Sequence, residues 1–175
     1  MKRYSTLLWS DRPDAPVARG DYDTERIATL AELGPISDWS PPSLTVDGTP
    51  TDYLANELGI RLCSAKLRDL IERARADADE LQWLGAVVHD ESGSRIDYFV
   101  PHFPSTPDVL DPGETLITSD GSTVVRPAIS LARAGSHVVF SYSRFGVAVV
   151  VAAELRRAIV AAGCTGVYFG NIRQV

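Results

Sequence analysis

Cysteine, methionine and histidine are scarce in this chain, and their scarcity excludes several kinds of site. The 175 residues include 2 cysteines, 1 methionine and 3 histidines. Cys63 and Cys164 provide neither a disulfide framework nor a zinc site built from paired Cys-x-x-Cys motifs. We expect both to be small apolar residues of the core rather than nucleophiles. The sequence predicts no metal site and no cofactor.

Long apolar runs are also lacking. No stretch approaches the roughly 18 apolar residues that a membrane-spanning helix needs. Asp11 and Pro13 interrupt the apolar residues of the N-terminus too early for the core of a signal peptide. We therefore expect a cytoplasmic protein that has no membrane partner.

The common catalytic motifs are missing as well. The chain has no GxGxxG after a strand, no P-loop, no GxSxG and no HExxH. His89 lies at a predicted hairpin turn, His102 in a proline-rich loop and His137 at the start of a predicted strand. No spacing brings these side chains together, and the nearby pair Asp77 and Asp79 is interpreted as part of a solvated turn. We predict no catalytic residues and no enzymatic activity.

The net charge of −6 is distributed unevenly. Residues 37–123 carry 16 acidic and 6 basic side chains, whereas residues 124–175 carry 1 acidic and 6 basic side chains. An acidic middle segment repels phosphate backbones, so nucleic acid is not expected as a partner. The same segment would attract a basic protein.

A strand-helix-strand pattern occurs twice, 88 positions apart. Residues 65–71 (AKLRDLI) align with residues 153–159 (AELRRAI), and each follows an apolar stretch and precedes a strand with an aromatic residue. Ser64 is a suitable N-cap for the first helix. The pattern predicts an α+β fold, in which a mostly antiparallel sheet packs against two main helices at about 65–76 and 152–162.

The first 36 residues are polar and interrupted by turn-forming residues. Only residues 24–33 have a helical pattern, so we expect residues 1–36 to be an N-terminal extension with a short helix. Residues 37–175 are then a single α+β domain. Its first part, residues 37–51, is rich in proline and is expected to lie over the core as an irregular segment. Residues 81–88 and 95–100 form a predicted hairpin.

The prolines and glycines of residues 101–122 indicate a long loop. The acidic side chains of this loop are not accompanied by any basic one, which favours a docking surface for a cationic partner: Asp108, Asp111, Glu114 and Asp120. Phe103 and Phe145 also lie in loops, and either could be an exposed anchor at an interface. A solvated loop without a binding role explains the same residues.

Several of these motifs together resemble a family of bacterial immunity proteins encoded beside polymorphic toxins, formerly a domain of unknown function. The resemblance covers about residues 37–173. It rests on Trp39-Ser40-Pro41-Pro42, Asp52-Tyr53-Leu54, the strand and serine-capped helix of residues 60–71, the Asp-Val-Leu-Asp of residues 108–111, and the Gly-Cys-Thr-Gly-Val-Tyr-Phe of residues 163–169.

The resemblance implies an inhibitor that binds and neutralises one cognate toxin by protein contact, without catalysis. It supplies no catalytic residues. Toxin domains that attack nucleic acids are often basic, so a basic toxin would suit the acidic middle segment. The alternative is a small-molecule-binding protein or a hydrolytic enzyme with a site near the 101–122 loop, where His102 precedes Asp108 and Asp111.

Overall fold

The computed structural model describes residues 3–10, 12–21, 23–121, 123–143 and 148–175. The strands in this part of the chain are β1 (Tyr4–Trp9), β2 (Val17–Gly20), β3 (Ser43–Val46), β4 (Tyr53–Asn56), β5 (Leu62–Cys63), β6 (Gln82–His89), β7 (Arg95–His102), β8 (Leu116–Ile117), β9 (Val124–Arg126), β10 (Ala128–Ile129), β11 (Val139–Phe140), β12 (Val149–Ala152), β13 (Val167–Asn171) and β14 (Arg173–Gln174). The helices are α1 (Thr24–Leu30), α2 (Ala65–Ala74), α3 (Leu131–Ala134) and α4 (Ala153–Ala161).

Six strands close into a barrel in the order β2-β3-β6-β7-β5-β4. Burial alternates along β6: Leu84, Ala86 and Val88 are buried, and the residues between them are only partly buried. Every second side chain of a strand points to the same face, so this pattern fills the barrel interior. Leu44 and Val46 of β3 belong to the same core. The prediction that residues 37–51 lie over the core was therefore wrong for these two residues.

A four-stranded antiparallel sheet has the order β11-β12-β1-β13. Its buried side chains form a second core with helices α2 and α4, including Leu67 and Ile71 of α2 and Leu155 and Ile159 of α4. Two smaller pairs complete the architecture, the parallel pair β10-β14 and the antiparallel pair β8-β9. Mixed helices and mostly antiparallel sheets confirm the predicted α+β class.

The repeated sequence pattern corresponds to a repeated topology. In the first copy, β7 lies between β5 and β6 and is antiparallel to both. In the second copy, β1 lies between β12 and β13 and is again antiparallel to both. Each copy is thus a split strand-helix-strand unit, with a helix crossing between two parallel strands that have one antiparallel strand between them. Both predicted main helices are confirmed, although each is slightly shorter than expected.

The N-terminal residues are part of the folded body, and the prediction of an extension was wrong in this respect. β1 is an inner strand of the four-stranded sheet, and β2 is a member of the barrel. The predicted short helix is present as α1, with the Asp23 carboxylate accepting hydrogen bonds from the backbone amides of Glu25 and Arg26. The polar residues around β2 hid its strand because only Ala18 of this strand is buried.

Asp52 connects the two strand-helix-strand units. Its carboxylate accepts hydrogen bonds from Ser64 Oγ (2.6 Å) and from the backbone N of Thr165 (2.8 Å), and Lys66 Nζ lies 3.5 Å away. Ser64 Oγ also accepts from the backbone N of Leu67, which confirms Ser64 as the N-cap of α2. The N-terminus of α2 is therefore tied to the residue that leads into β13.

No helix in the described ranges is long and apolar enough to cross a membrane.

Candidate functional site

Phe103 begins the loop that follows β7, and its side chain is buried. Only 8% of the residue is exposed, and the Arg61 guanidinium lies over the ring at 5.3 Å from its centroid. The expectation of an exposed anchor at Phe103 is therefore wrong, because the ring belongs to the core beneath the four-stranded sheet. Phe145, the other residue considered as an anchor, lies outside the described residues.

The four acidic residues of the loop all have partners within the molecule. Asp108 receives two hydrogen bonds from Arg133 Nη1, at 2.9 and 2.8 Å, and Glu114 pairs with Arg173. Asp111 accepts from the backbone amides of Gly113 and Glu114, and Asp120 accepts from Thr118 Oγ1. The arginines come from the basic C-terminal segment, so tertiary contacts neutralise part of the charge that makes this loop acidic in sequence.

The end of this loop and the residues that follow it form a hairpin with an apolar surface. In the antiparallel pair β8-β9, Leu116, Ile117 and Val125 are 50%, 51% and 64% exposed. Large hydrophobic side chains that are this exposed are few in the described chain, and three of them fall within ten residues. We call Leu116, Ile117 and Val125 the apolar hairpin surface. Several large apolar side chains exposed in one short hairpin favour a site that another molecule covers.

The base of the hairpin is firmly attached to the core. The backbone N of Asp111 donates to Ala128 O (2.8 Å), and Thr115 Oγ1 accepts from the backbone N of Ala128 (3.2 Å). Ala128 is fully buried in β10, which pairs with the C-terminal strand β14. A two-stranded hairpin is only marginally stable alone, so this attachment and the Glu114–Arg173 pair hold its orientation.

The three histidines lie in different settings. His102 is buried, and its Nε2 lies 2.8 Å from Gly34 O, while His89 Nδ1 is 3.5 Å from Ser43 Oγ. His137 Nδ1 lies 3.0 Å from Asp79 Oδ1. No group of three or more His, Cys, Asp or Glu side chains with metal-site geometry occurs among the residues that the structure describes.

Asp79 is a buried structural acceptor, which the sequence interpretation missed. Its carboxylate accepts from the backbone amides of Ala76 (2.8 Å), Val138 and Val139 (both 3.1 Å) and faces His137. The interpretation of a solvated turn was wrong for Asp79 and fits only its neighbour Asp77, which is exposed. The Asp–x–Asp pattern after a helix gives no signal that distinguishes the two.

Both crevices beside the start of the 101–122 loop are small. One, with a volume of about 10 Å³, is lined by residues that include Asp79, Phe103 and His137. The other, also with a volume of about 10 Å³, is lined by residues that include Arg61, Phe103 and Ser141. Pockets for drug-sized ligands usually exceed about 300 Å³, so neither crevice favours the small-molecule alternative.

The two thiols are poorly suited to nucleophilic chemistry. Cys63 is buried in β5, and burial raises the pKa of its thiol far above the ordinary range. Burial also raises the pKa of Cys164, which lies near Asp52. A thiol with a raised pKa stays protonated near neutral pH, and the thiolate is the reactive form.

The architecture defines a small α+β protein in which a barrel and a four-stranded sheet share one body and an apolar hairpin is exposed. Comparison with known families is more specific. The model of the Immunity protein family (Imm11) matches residues 11–174, nearly the whole chain, and the chain belongs to this family. The match begins 26 residues before the resemblance seen in the sequence, as expected if β2 and α1 belong to the domain. No curated protein matches the sequence.

Proposed function

We propose that this protein binds one cognate toxin and neutralises it by direct contact, without catalysis. The observation that carries the proposal is membership of an immunity-protein family over nearly the whole chain, which implies a toxin partner in general. The crevices beside the start of the 101–122 loop are too small for a drug-sized ligand, which favours inhibition by contact over a small-molecule site at this loop.

The apolar hairpin surface, at the end of the 101–122 loop and in β9, is the region best suited to contact the toxin. Exposed apolar side chains on a well-anchored backbone lose little conformational entropy on binding, and their burial drives association. Asp111 and Asp120 flank this surface and would face basic groups of the toxin, whereas Asp108 and Glu114 act by holding Arg133 and Arg173. Buried Phe103 supports the loop from below.

A basic toxin domain remains the expected partner, because the net charge of −6 attracts a cation over long range. Its association rate would fall as salt is added, since screening shortens the range of the attraction.

Coexpression with the toxin domain encoded in the same locus tests the function. The proposal predicts that cells survive only when the immunity protein is present, and that the purified pair forms a stable complex. Toxin released from the complex by denaturation and refolding should regain its activity, because contact leaves it chemically unchanged. Permanent modification of the toxin, or survival without a complex, would contradict the proposal.

Two substitutions to aspartate test whether the toxin contacts the hairpin rather than another exposed part of the surface. Val125 on the hairpin and Val160 on α4 are similarly exposed, at 64% and 61%. We expect Val125→Asp to weaken toxin binding at least about tenfold, by placing a charge in the apolar contact. Val160→Asp serves as the matched control and should bind within about twofold of the wild type. Equal affinities would exclude the hairpin as the main contact.

A further inference from the structure

The outer edge of β13 carries unpaired main-chain groups, as the register of the sheet shows. The backbone N of Ser10 donates to Gly166 O, and β1 and β13 are antiparallel with Leu8 opposite Tyr168 and Thr6 opposite Gly170. Hydrogen-bonded pairs alternate along an antiparallel ladder. The main-chain groups of Tyr168 and Gly170 therefore point towards β1, and those of Val167, Phe169 and Asn171 point away from it.

Two further contacts fix the same alternation. The backbone N of Tyr4 donates to Gln174 Oε1, and Gln174 Nε2 donates to Tyr4 O, so the even-numbered residues of β1 face the β13 side. On the other side, the backbone N of Ala153 donates to Arg3 O, so the odd-numbered residues face β12. No partner is found among the described residues for the outward-facing main-chain groups of Val167, Phe169 and Asn171.

The two edges of this sheet differ in how they are protected. At the β11 edge, the strand has two buried residues, and the Asp79 carboxylate accepts from the outward-facing amide of Val139. At the β13 edge, the strand has five residues and contains neither proline nor a charged side chain. Proteins usually protect a free edge by shortening, capping or charging it, since an open edge pairs with other strands.

We infer that an extended segment of the toxin pairs with β13 as a fifth strand of this sheet. The inference rests on the proposed function and adds the mode of contact. Outward N–H and C=O groups on alternate residues of a strand are the groups with which an added extended backbone pairs. Tyr168, which is 56% exposed, gives an aromatic contact beside the added strand.

The toxin is a better occupant of this edge than a second copy of the chain. Two copies each carry a net charge of −6 and repel one another, whereas a basic toxin is attracted. The edge is also connected along the chain to the surface proposed above. Asn171 lies two residues before Arg173, which pairs with Glu114 at the base of the apolar hairpin surface. One toxin could therefore contact the hairpin and the strand edge together.

Asn171→Pro tests the added strand, with Asn171→Ala as the matched control. Asn171 is exposed, and its outward-facing backbone N–H has no partner among the described residues. Proline therefore removes this backbone donor at little cost to the hydrogen bonds between β1 and β13. We expect Asn171→Pro to weaken binding of the cognate toxin domain about tenfold or more, while Asn171→Ala binds within about twofold of the wild type. Thermal unfolding of both variants checks that each is folded.

Amide hydrogen exchange on the wild-type protein gives an independent result if the proline variant does not fold. Toxin binding should slow the exchange of the amides of Val167, Phe169 and Asn171 at least tenfold. The amides of Tyr168 and Gly170 are already protected by β1 and should change less. Unchanged exchange at the three outward amides, or equal toxin affinity of a folded Asn171→Pro variant, would overturn the inference while leaving the proposed function in place.

Two other outcomes also count against the inference. A wild-type dimer that Asn171→Pro dissociates, measured by light scattering without toxin, would show that a second copy occupies the edge. Failure of the wild-type protein to bind the toxin at all would overturn the proposed function, and the added strand with it.

Discussion

Asp79 joins the end of α2 to the edge of the four-stranded sheet through one carboxylate. It accepts hydrogen bonds from amides on both sides of this connection, at Ala76, Val138 and Val139. A buried carboxylate that accepts several backbone amides cannot be removed without leaving those donors unsatisfied. Its role is therefore structural, and it also closes one edge of the sheet.

Replacing Asp79 with alanine should destabilise the protein strongly. Loss of the acceptor leaves up to three backbone N–H groups without a partner, two of them buried, and we expect the free energy of unfolding to fall by roughly 3 kcal/mol or more. Asp77→Ala, two residues away and exposed, should change it by less than about 0.5 kcal/mol. Urea denaturation measures both. Similar midpoints for the two variants would show that the hydrogen bonds of Asp79 contribute little.

Asp52 makes the stability of the folded protein depend on pH in the acid range. Burial alone would raise the pKa of its carboxyl, but hydrogen bonds from Ser64 and Thr165 and the charge of Lys66 outweigh burial and lower the pKa below 3.8. Because the native pKa is the lower one, the ionised carboxylate stabilises the fold above pH 3.8. This contribution is lost as the pH falls through the native pKa.

Asp52→Asn should therefore be less stable than the wild type by about 1–2 kcal/mol at neutral pH. The difference should shrink as the pH is lowered below 3.8, because protonation removes the same charge from the wild-type side chain. Chemical denaturation across a pH series measures the two curves. A difference that stays constant down to the acid-unfolding limit would show that the Asp52 charge is not the cause.

Two glycines near the start of β13 show how closely this element approaches the barrel. Gly163 and Gly166 both have positive φ, at 62° and 72°. A Cβ at Gly163 would meet open space, whereas one at Gly166 would lie 2.5 Å from Tyr53 O and in contact with Thr51. The close approach places Gly166 O opposite Ser10 and so sets the register of β13 on β1.

Alanine at these two positions should have different effects. Gly163→Ala pays only the strain of the left-handed conformation, roughly 1 kcal/mol. Gly166→Ala adds a clash with the backbone of β4, and we expect a loss at least twice as large, with a shift of β13. Thermal unfolding measures the stabilities, and amide exchange in β13 reports the shift. Equal losses of stability would mean that the barrel backbone near Tyr53 moves at little cost to accommodate the added methyl group.

At the scale of the whole molecule, β1 holds the second strand-helix-strand unit together because it is hydrogen-bonded to both β12 and β13. β7 has the same position between β5 and β6 in the first unit. A chain that starts at residue 37 lacks β1 and β2, so we expect it to lose cooperative unfolding. Circular dichroism during heating measures this against the full chain. A sharp transition in the shortened chain would mean that the N-terminal strands are dispensable and that residues 37–175 fold alone.

Local patterns in the sequence predicted the elements but not their neighbours. The apolar spacing of residues 65–71, with the cap at Ser64, predicts α2 because helical contacts join residues three or four apart. The place of β1 depends instead on partners near residues 150 and 170, about 150 positions away. A short strand such as β2 has too few residues for a reliable alternation.

The candidate site, too, could be predicted from the sequence only in part. The sequence located most of the 101–122 loop and its acidic side chains, since composition is readable without a structure, but Pro101 and His102 belong to β7 rather than to the loop. It could not show that Arg133 and Arg173 neutralise Asp108 and Glu114, or that Phe103 is buried. The exposed residues Leu116, Ile117 and Val125 gave no signal either, because apolar residues in a short strand normally indicate a core.

The sequence by itself determined the α+β class, the two main helices and their duplicated pattern, the overall charge and the resemblance to an immunity protein. Each of these depends on spacing or composition within a short stretch. Only the tertiary structure decided that the strands close a barrel beside a separate sheet, that Asp79 covers one edge of that sheet, and that β13 leaves the other edge open. These features depend on which distant strands meet, and the hydrogen bonds between strands are made by main-chain groups that every residue carries.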